Sequence, residues 1–195
     1  MSSASKRLVI FASGGGSNAE AVTRYLHART HHKVIAVACN QAQAPVIARM
    51  RRLHVPVLIF SARQWEDDFI RTTLRALHTD ALALLGFLWK VPTSILAHFP
   101  QRVVNLHPSL LPDFGGPGMY GKHVHEAVIS AGRRRSGITL HLADSEYDRG
   151  PILEQHSVEV APGETPERLA AKIHALEQKE VPPAIHRFLE RLKPY

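Results

Sequence analysis

RLVIFASGGGSNAEAV, residues 7–22, has the pattern of a strand, a glycine turn and a helix. The apolar run 7–12 is typical of a buried strand, and a helix is predicted over 17–28. Apolar strands without polar alternation, separated by helices, indicate a parallel sheet that is covered on both faces. This stretch therefore predicts the first β-α unit of such a sheet.

The same alternation continues through the first half of the chain and changes after residue 112. Further parallel strands are predicted at 34–38, 57–60, 81–85 and 103–106, with helices at 45–53, 65–77 and 93–98. The second half is predicted to hold a glycine-rich loop (113–122), a short helix (125–130), strand-like segments (137–142 and 152–160) and a final helix. Thr165 and Pro166 are expected to open that helix, which should pass Glu177 and break or kink at Pro182 and Pro183.

These elements predict the α/β class, with a doubly wound, mostly parallel open sheet and helices on both faces. The N-terminal half is Rossmann-like, and the C-terminal strands extend the sheet as antiparallel neighbours. We expect one domain over residues 1–195, with a phosphate-binding half at about 6–112 and a second half at about 113–195.

Composition narrows the class of protein. The formal charge of +7 favours anionic partners, although Arg133, Arg134 and Arg135 are read as a solvated turn. The single cysteine, Cys39, excludes a disulfide framework within the chain and a zinc site built from cysteines. The start of the chain lacks the apolar core of a signal peptide, and the longest apolar run stops at Lys90. A cytoplasmic location is expected.

The glycine turn is the first candidate binding site. Glycines let the backbone approach a ligand, and a helix N-terminus offers free N–H groups to a phosphate. As an alternative, Ser17 and Glu20 have the spacing of a capping box that serves the helix alone. Gly14, Gly16 and Ala19 also fit a dinucleotide fingerprint, but the acidic residue that it requires is absent from 38–41. A monophosphate is therefore favoured over a dinucleotide.

Two polar residues end the fifth predicted strand. Asn105 and His107 are two positions apart, so they point to the same side of the strand. This edge is where open α/β sheets bind ligands. An amide donor beside an imidazole can stabilise an oxyanion and transfer a proton. Taken singly, each residue is better explained as structural, as a turn-capping asparagine and a hydrogen-bonded core histidine.

Acidic residues and further histidines complete the candidates. Asp144, Glu146 and Asp148 lie in one predicted loop. If one of these carboxylates lies beside His107, it would raise the pKa of His107 and stabilise the protonated form. A solvated acidic turn fits these residues equally well. Four histidines suggest zinc, but their H-x-H spacing is a weak signal and no further ligands are spaced around it. No metal is predicted. The histidines concerned are His107, His123, His125 and His141.

Five stretches together resemble the phosphoribosylglycinamide formyltransferases of purine synthesis, a branch of the folate-dependent formyltransferase superfamily. They are SGGGSN (13–18), LLGFLWKVP (84–92), VVNLHPSLLP (103–112), SGITLHLADSEYDRGPIL (136–153) and the helix that contains Glu177. The sequence departs from the family pattern in a longer loop 113–122, in Trp89 where an arginine is frequent, and in Arg149 where a glycine is usual.

The resemblance implies a role for each matching residue. The catalytic residues would be Asn105, His107 and Asp148. The phosphoribosylglycinamide site would consist of Gly16, Ser17, Asn18 and Glu177. The site for 10-formyltetrahydrofolate would consist of Arg63, Leu88, Trp89, Lys90, Val91, Asn105 and Asp144, with the loop 143–148 around the pterin.

The implied reaction is transfer of the formyl group of 10-formyltetrahydrofolate to the amine of phosphoribosylglycinamide. Asn105 would donate to the oxyanion, protonated His107 would stabilise it and protonate the leaving nitrogen, and Asp148 would keep His107 protonated. The partners would be small molecules, with no nucleic acid or membrane, and the protein a monomer or homodimer. The alternatives are a formyltransferase for another amino sugar or nucleotide, a formyltetrahydrofolate hydrolase, and a non-catalytic nucleotide-binding regulator.

Overall fold

A seven-stranded sheet forms the centre of the computed structural model, which describes residues 5–193. The strands are β1 Arg7–Phe11, β2 Lys33–Cys39, β3 Val57–Ile59, β4 Ala81–Leu84, β5 Val103–His107, β6 Arg135–Leu142 and β7 Ile152–Glu159. They lie in the order β3-β2-β1-β4-β5-β6-β7. The first five are parallel, and β6 and β7 are antiparallel additions, so the predicted fold class is confirmed.

Helices cover both faces of the sheet. They are α1 Ser17–Arg29, α2 Pro45–Arg52, α3 Ala62–Glu66, α4 Phe69–Ala76, α5 Thr93–His98, α6 Lys122–Ser130 and α7 Pro166–Arg191. Side chains alternate across β1, so Leu8 and Ile10 pack in the core with α1, α2 and α7. Val9 and Phe11 pack in the other core, with α3, α4 and α5. Burial of β1 on both faces explains why its sequence is continuously apolar.

The helix predicted at 65–77 is instead two helices. α3 begins earlier, at Ala62, because Ser61 and Gln64 form a capping box there. The backbone becomes extended at Asp67, which ends α3, and α4 starts at Phe69. The helix predicted at 125–130 also begins earlier, at Lys122. Sequence periodicity alone did not reveal these boundaries.

A break or kink is predicted at Pro182 and Pro183, and the break is wrong, because α7 continues to Arg191. A proline inside a helix removes a hydrogen bond and crowds the preceding turn. Here Pro182 is buried together with Val181 and Ile185, so tertiary packing holds the helix across the prolines. The predicted cap at Thr165 is confirmed, since its side chain accepts a hydrogen bond from the N–H of Arg168.

The sheet order places a ligand site at a definite edge. β1 lies between β2 and β4. The chain therefore adds β2 and β3 on one side of β1 and then β4 and β5 on the other side. Ligands bind beyond the carboxyl ends of the strands at such a switch point. The glycine turn after β1 and the polar end of β5 both lie at these ends. Within residues 5–193, no helix is both long and apolar enough to cross a membrane.

Candidate functional site

A cavity of about 530 Å³ opens at the carboxyl edge of the sheet. Five parts of the chain meet there, together with Asn18 at the start of α1. They are the segment 86–91, the end of β5 with Pro108, the glycine-rich loop 116–121, the loop after β6, and one side of α7. The volume lies in the range of sites for small organic molecules.

The structure brings Asn105, His107 and Asp148 together in this cavity. Nδ1 of His107 lies 3.4 Å from Oδ2 of Asp148, and Nδ2 of Asn105 donates to Oδ1 at 3.3 Å. Asp148 has a φ of 56°, a left-handed conformation that non-glycine residues seldom adopt. The N–H of Gly116 donates to Oδ2 at 2.9 Å and so helps to hold the carboxylate in place. Such strain is characteristic of functional positions.

Burial favours the neutral form of His107 in the ligand-free protein. Nε2 lies 2.8 Å from the carbonyl oxygen of Phe114, which can only accept, so Nε2 carries a hydrogen. Burial of the ring lowers the pKa of His107 below its usual value, and Asp148 and the Phe114 carbonyl oppose this only in part. Desolvation therefore opposes the expectation that Asp148 keeps His107 protonated, although both ring nitrogens face acceptors as they would in an imidazolium.

Asp148 is the charged member of the group. Burial raises the pKa of its carboxyl, but contact with His141, the proximity of His107 and the Gly116 N–H together outweigh burial. The net result is a pKa below the usual value. The site therefore holds a carboxylate beside an imidazole whose neutral form is favoured by burial, a pair in which the imidazole can take up a proton.

His141 is a fourth member that sequence reasoning considered only as a zinc ligand. It lies opposite Asn105 where β5 pairs with β6. Nδ1 of His141 donates to the Leu142 carbonyl at 2.9 Å, so Nε2 is free to accept from Nδ2 of Asn105 at 3.0 Å. Both N–H groups of Asn105 are thus engaged, and the longer bond, to Asp148, is the one that a substrate oxygen can replace. Only the antiparallel register could have revealed this pairing.

The glycine turn leaves the N-terminus of α1 uncapped. Gly16 is the N-cap, with a φ of 72°, and no side chain caps the helix. The capping-box alternative is therefore wrong; Glu20 instead pairs with Arg24 and Arg49. A Cβ on Gly16 would lie 2.3 Å from Cγ2 of Val46, which explains the glycine. The free N–H groups and the helix dipole suit a phosphate.

Polar contacts connect this turn to α7. Nδ2 of Asn18 donates to Glu177 at 2.9 Å, and Gln178 donates to Oδ1 of Asn18 at 2.8 Å. Burial raises the pKa of Glu177, an effect that its bond to Asn18 and the nearby His174 reduce. His174 also lines the cavity, 3.7 Å from Glu177, and was missed by sequence reasoning. Of the predicted phosphoribosylglycinamide residues, Asn18 and Glu177 line the cavity, while Gly16 and Ser17 lie just outside its wall.

The cavity has an apolar wall on the side of β4. Of the residues predicted to contact folate, six line the cavity: Leu88, Trp89, Lys90, Val91, Asn105 and Asp144. The Trp89 ring packs edge-on against Phe60 and Phe87, so it is held in place. Arg63 is different, since its side chain is 91% exposed and faces Asp67 outside the cavity.

Among residues 5–193, the four histidines considered for zinc form no group of three ligand atoms within 4.8 Å of one another. Within residues 5–193, the group that brings three ligand atoms together is His31, His32 and Glu190, with all three atoms inside 4.8 Å. Nδ1 of His32 accepts the N–H of Lys6 at 3.1 Å, so its Nε2 carries the hydrogen that Glu190 accepts at 2.8 Å. A metal-bound histidine instead donates from its second nitrogen. This group is therefore satisfied as a hydrogen-bonded cluster and does not fit a metal.

Comparison with known proteins gives a consistent result. The model of the formyl transferase family matches residues 6–185. A phosphoribosylglycinamide formyltransferase of Bacillus subtilis is 33% identical, over 94% of this chain and 95% of the relative. The crystal structure of glycinamide ribonucleotide transformylase 1 from Symbiobacterium toebii superposes with a TM-score of 0.88 at 30% identity, covering 98% of this chain and 91% of that one.

Two plant relatives are longer than this chain. A chloroplastic phosphoribosylglycinamide formyltransferase of Arabidopsis thaliana is 37% identical over 89% of this chain, which spans 62% of the plant protein. The chain spans 56% of the corresponding protein of Vigna unguiculata.

Proposed function

The chain belongs to the formyl transferase family, and on that premise we propose that it transfers the formyl group of 10-formyltetrahydrofolate to the amine of phosphoribosylglycinamide. The products are formylglycinamide ribonucleotide and tetrahydrofolate, in purine biosynthesis. The observation that carries the proposal is the contact between buried His107 and half-buried Asn105 and Asp148, in a cavity that also reaches Asn18 at the uncapped start of α1.

The two ends of the cavity suit the two substrates. The phosphate of phosphoribosylglycinamide binds at the N-terminus of α1, where N–H groups and the helix dipole favour an anion. Asn18 and Glu177, which are hydrogen-bonded to each other, contact the rest of this substrate. The flat pterin of the folate lies between the apolar segment 86–91 and the loop 143–148, because aromatic and aliphatic walls suit a planar heterocycle.

Proton transfer follows from the protonation states of the site. As the amine nitrogen bonds to the formyl carbon, neutral His107 takes one amine proton and becomes an imidazolium. Nδ1–H then faces the Asp148 carboxylate, and Nε2–H still faces the Phe114 carbonyl, so both N–H groups have acceptors. Asn105 turns its weaker-held N–H to the oxyanion. The bond from the formyl carbon to the folate N10 breaks, and His107 returns the proton to that nitrogen.

The test is to mix the protein with 10-formyltetrahydrofolate and candidate amines and to follow the release of tetrahydrofolate. Rapid release with phosphoribosylglycinamide, and slow release with other amino sugars or nucleotides, is the expected result. Equal release with water alone would identify a hydrolase instead. Activity that EDTA abolishes and zinc restores would contradict a reaction that runs without a metal.

The remaining properties are part of the same proposal. The partners are the two small molecules, the protein acts in the cytoplasm, and it is a monomer or homodimer. Light scattering measures the oligomeric state. Tight, strongly salt-dependent binding to RNA would contradict the absence of a nucleic-acid partner.

A further inference from the structure

A second cavity, of about 340 Å³, shares no lining residue with the main cavity. Its walls are the turn after α6, the start of β6, and the segment that follows Pro112. The lining residues are Leu110, Asp113, Phe114, Val128, Arg133, Arg134, Arg135 and Ser136. We call it the arginine cavity. Its volume is at the lower end of the range for small-molecule sites.

The charges around the arginine cavity are unbalanced. Arg133 donates to Asp113 at 2.8 Å, and its guanidinium lies 5.6 Å from the centre of the Phe114 ring. Arg135 donates to the neutral hydroxyl of Ser157. Arg134 has no side-chain hydrogen bond or ion pair to any residue in the described range 5–193. Three exposed arginines and one carboxylate therefore line the cavity, which gives it a net positive charge.

The wall also contains a polar group without a partner. Ser136 is 2% exposed, and its Oγ has no hydrogen-bond partner among residues 5–193. Leaving a buried hydroxyl unpaired is unfavourable. Ser136 lines the cavity, so rotation of its side chain towards the cavity would let the hydroxyl donate to an acceptor oxygen there, and the arginines would neutralise the charge of that oxygen.

We propose that the arginine cavity is a binding site for a small molecule that carries a phosphate or diphosphate group. The planar fork of a guanidinium matches phosphate oxygens in pairs, so Arg134, which is unpaired, is its main ligand. The Ser136 hydroxyl donates to a further oxygen. One cavity of this size accommodates a phosphate group and little more, which favours a small metabolite over a nucleic acid.

The arginine cavity is connected to the main site through two consecutive residues. The carbonyl of Phe114 accepts from Nε2 of His107 at 2.8 Å, and the carbonyl of Asp113 accepts from Ser109 at 2.8 Å. A phosphate that competes with Asp113 for Arg133 loosens this segment. Occupation of the arginine cavity therefore lowers turnover, a consequence that rests on the proposed function, whereas binding itself does not.

Calorimetric titration with inorganic pyrophosphate tests the binding, with phosphoribosylglycinamide saturating so that the anion site at the start of α1 is occupied. Arg134→Gln should weaken it at least about tenfold, and Ser136→Ala at least about fivefold, because each removes a hydrogen bond to a charged group. The matched control is Arg52→Gln, which removes the same charge from an exposed residue of α2 outside both cavities. Wild-type affinity in either cavity variant, or an equal loss in the control, would overturn the site.

The link to His107 needs a separate measurement. With phosphoribosylglycinamide saturating, pyrophosphate should lower kcat of the wild-type protein and of Arg52→Gln, while Arg134→Gln resists it. Equal inhibition of all three proteins would overturn the link. If none of them transfers a formyl group, the proposed function fails, and the calorimetric result still decides whether the arginine cavity binds pyrophosphate.

Discussion

Replacing Asp148 by asparagine should reduce turnover by at least about 10² while the protein still folds, since this is the lower end of the range for general acid–base catalysis. The carboxylate faces Nδ1 of His107 at 3.4 Å, where it stabilises the imidazolium that forms when the amine proton arrives. A neutral amide cannot do so to the same extent. The expected effect is therefore on kcat, with a smaller effect on the KM of either substrate.

The same structure gives the size of the change in stability. One carboxylate oxygen accepts from Gly116 at 2.9 Å and the other from Asn105 at 3.3 Å. In either orientation, the new amide directs its own N–H groups at one of these donors. A buried donor without an acceptor costs about 1–3 kcal/mol, so the free energy of unfolding should fall by about that much. For a chain of this length that lowers Tm by about 2–4 °C for each kcal/mol.

Both quantities are measured on the same preparations, by release of tetrahydrofolate and by thermal unfolding. The control is Asp68→Asn, which makes the same chemical change at an exposed carboxylate paired with Arg71. It should leave turnover within about twofold, as surface changes away from a site do. Turnover of Asp148→Asn within threefold of wild type, together with the lower Tm, would refute the reasoning and make Asp148 a structural residue.

Three further outcomes are expected. Asn105→Ala should lower kcat by about 10²–10³ with KM little changed, the effect of losing one oxyanion donor, whereas a raised KM with kcat unchanged would indicate a binding role. The free energy of unfolding in urea should be about 1–3 kcal/mol lower for Gly16→Ala than for Gly163→Ala. Both glycines have a φ of 72°, but only a Cβ at position 16 would clash with Val46, so equal stabilities would contradict the clash. Burial lowers the pKa of His32 in the folded protein below its usual value of about 6.5. Between these two pKa values the unfolded chain binds more protons than the folded protein, so the free energy of unfolding should fall as the pH decreases from about 6.5. The fall between pH 8 and 5.5 should be smaller in His32→Gln, and identical falls in both proteins would contradict it.

The parallel half of the fold could be predicted because burial on both faces is visible in the sequence. β1, for example, is a run of apolar residues from Leu8 to Phe11, which only a central strand of a covered sheet requires. The helix boundaries are harder to predict from the sequence, because they depend on local hydrogen bonds. The cap at Ser61 and Gln64 starts α3 before the apolar periodicity begins, so periodicity predicts a later start.

Pro182 illustrates the opposite limit. Propensity predicts a break, but the free energy from burying Val181, Ala184 and Ile185 against the sheet outweighs the lost hydrogen bond. The prolines and the apolar residues around them are both visible in the sequence. Which effect is larger, the lost hydrogen bond or the apolar burial, depends on packing partners from α1 and β6 that are remote in the chain.

The site shows why residue types are easier to predict than protonation states. Asn105, His107 and Asp148 were identified from motifs, and their side chains do meet. The sign of the pKa shift of His107 depends instead on how deeply the ring is buried, because desolvation and the carboxylate act in opposite directions. No linear motif encodes that balance, so the sequence predicts a protonated histidine at a position where burial favours the neutral form.

A shift of His107 towards its neutral form changes the order of events that the site can support. A permanently charged His107 could donate a proton but not accept one, and the attacking amine would have to lose its proton elsewhere. A neutral His107 beside an anionic Asp148 accepts the proton first and returns it to the leaving nitrogen, so one side chain serves both steps. The Phe114 carbonyl makes this possible, because it fixes the hydrogen on Nε2 and leaves Nδ1 as the basic nitrogen. The glycine-rich segment beginning at Phe114 thus takes part in the chemistry through its backbone: one carbonyl orients His107, and two residues later the Gly116 N–H orients Asp148.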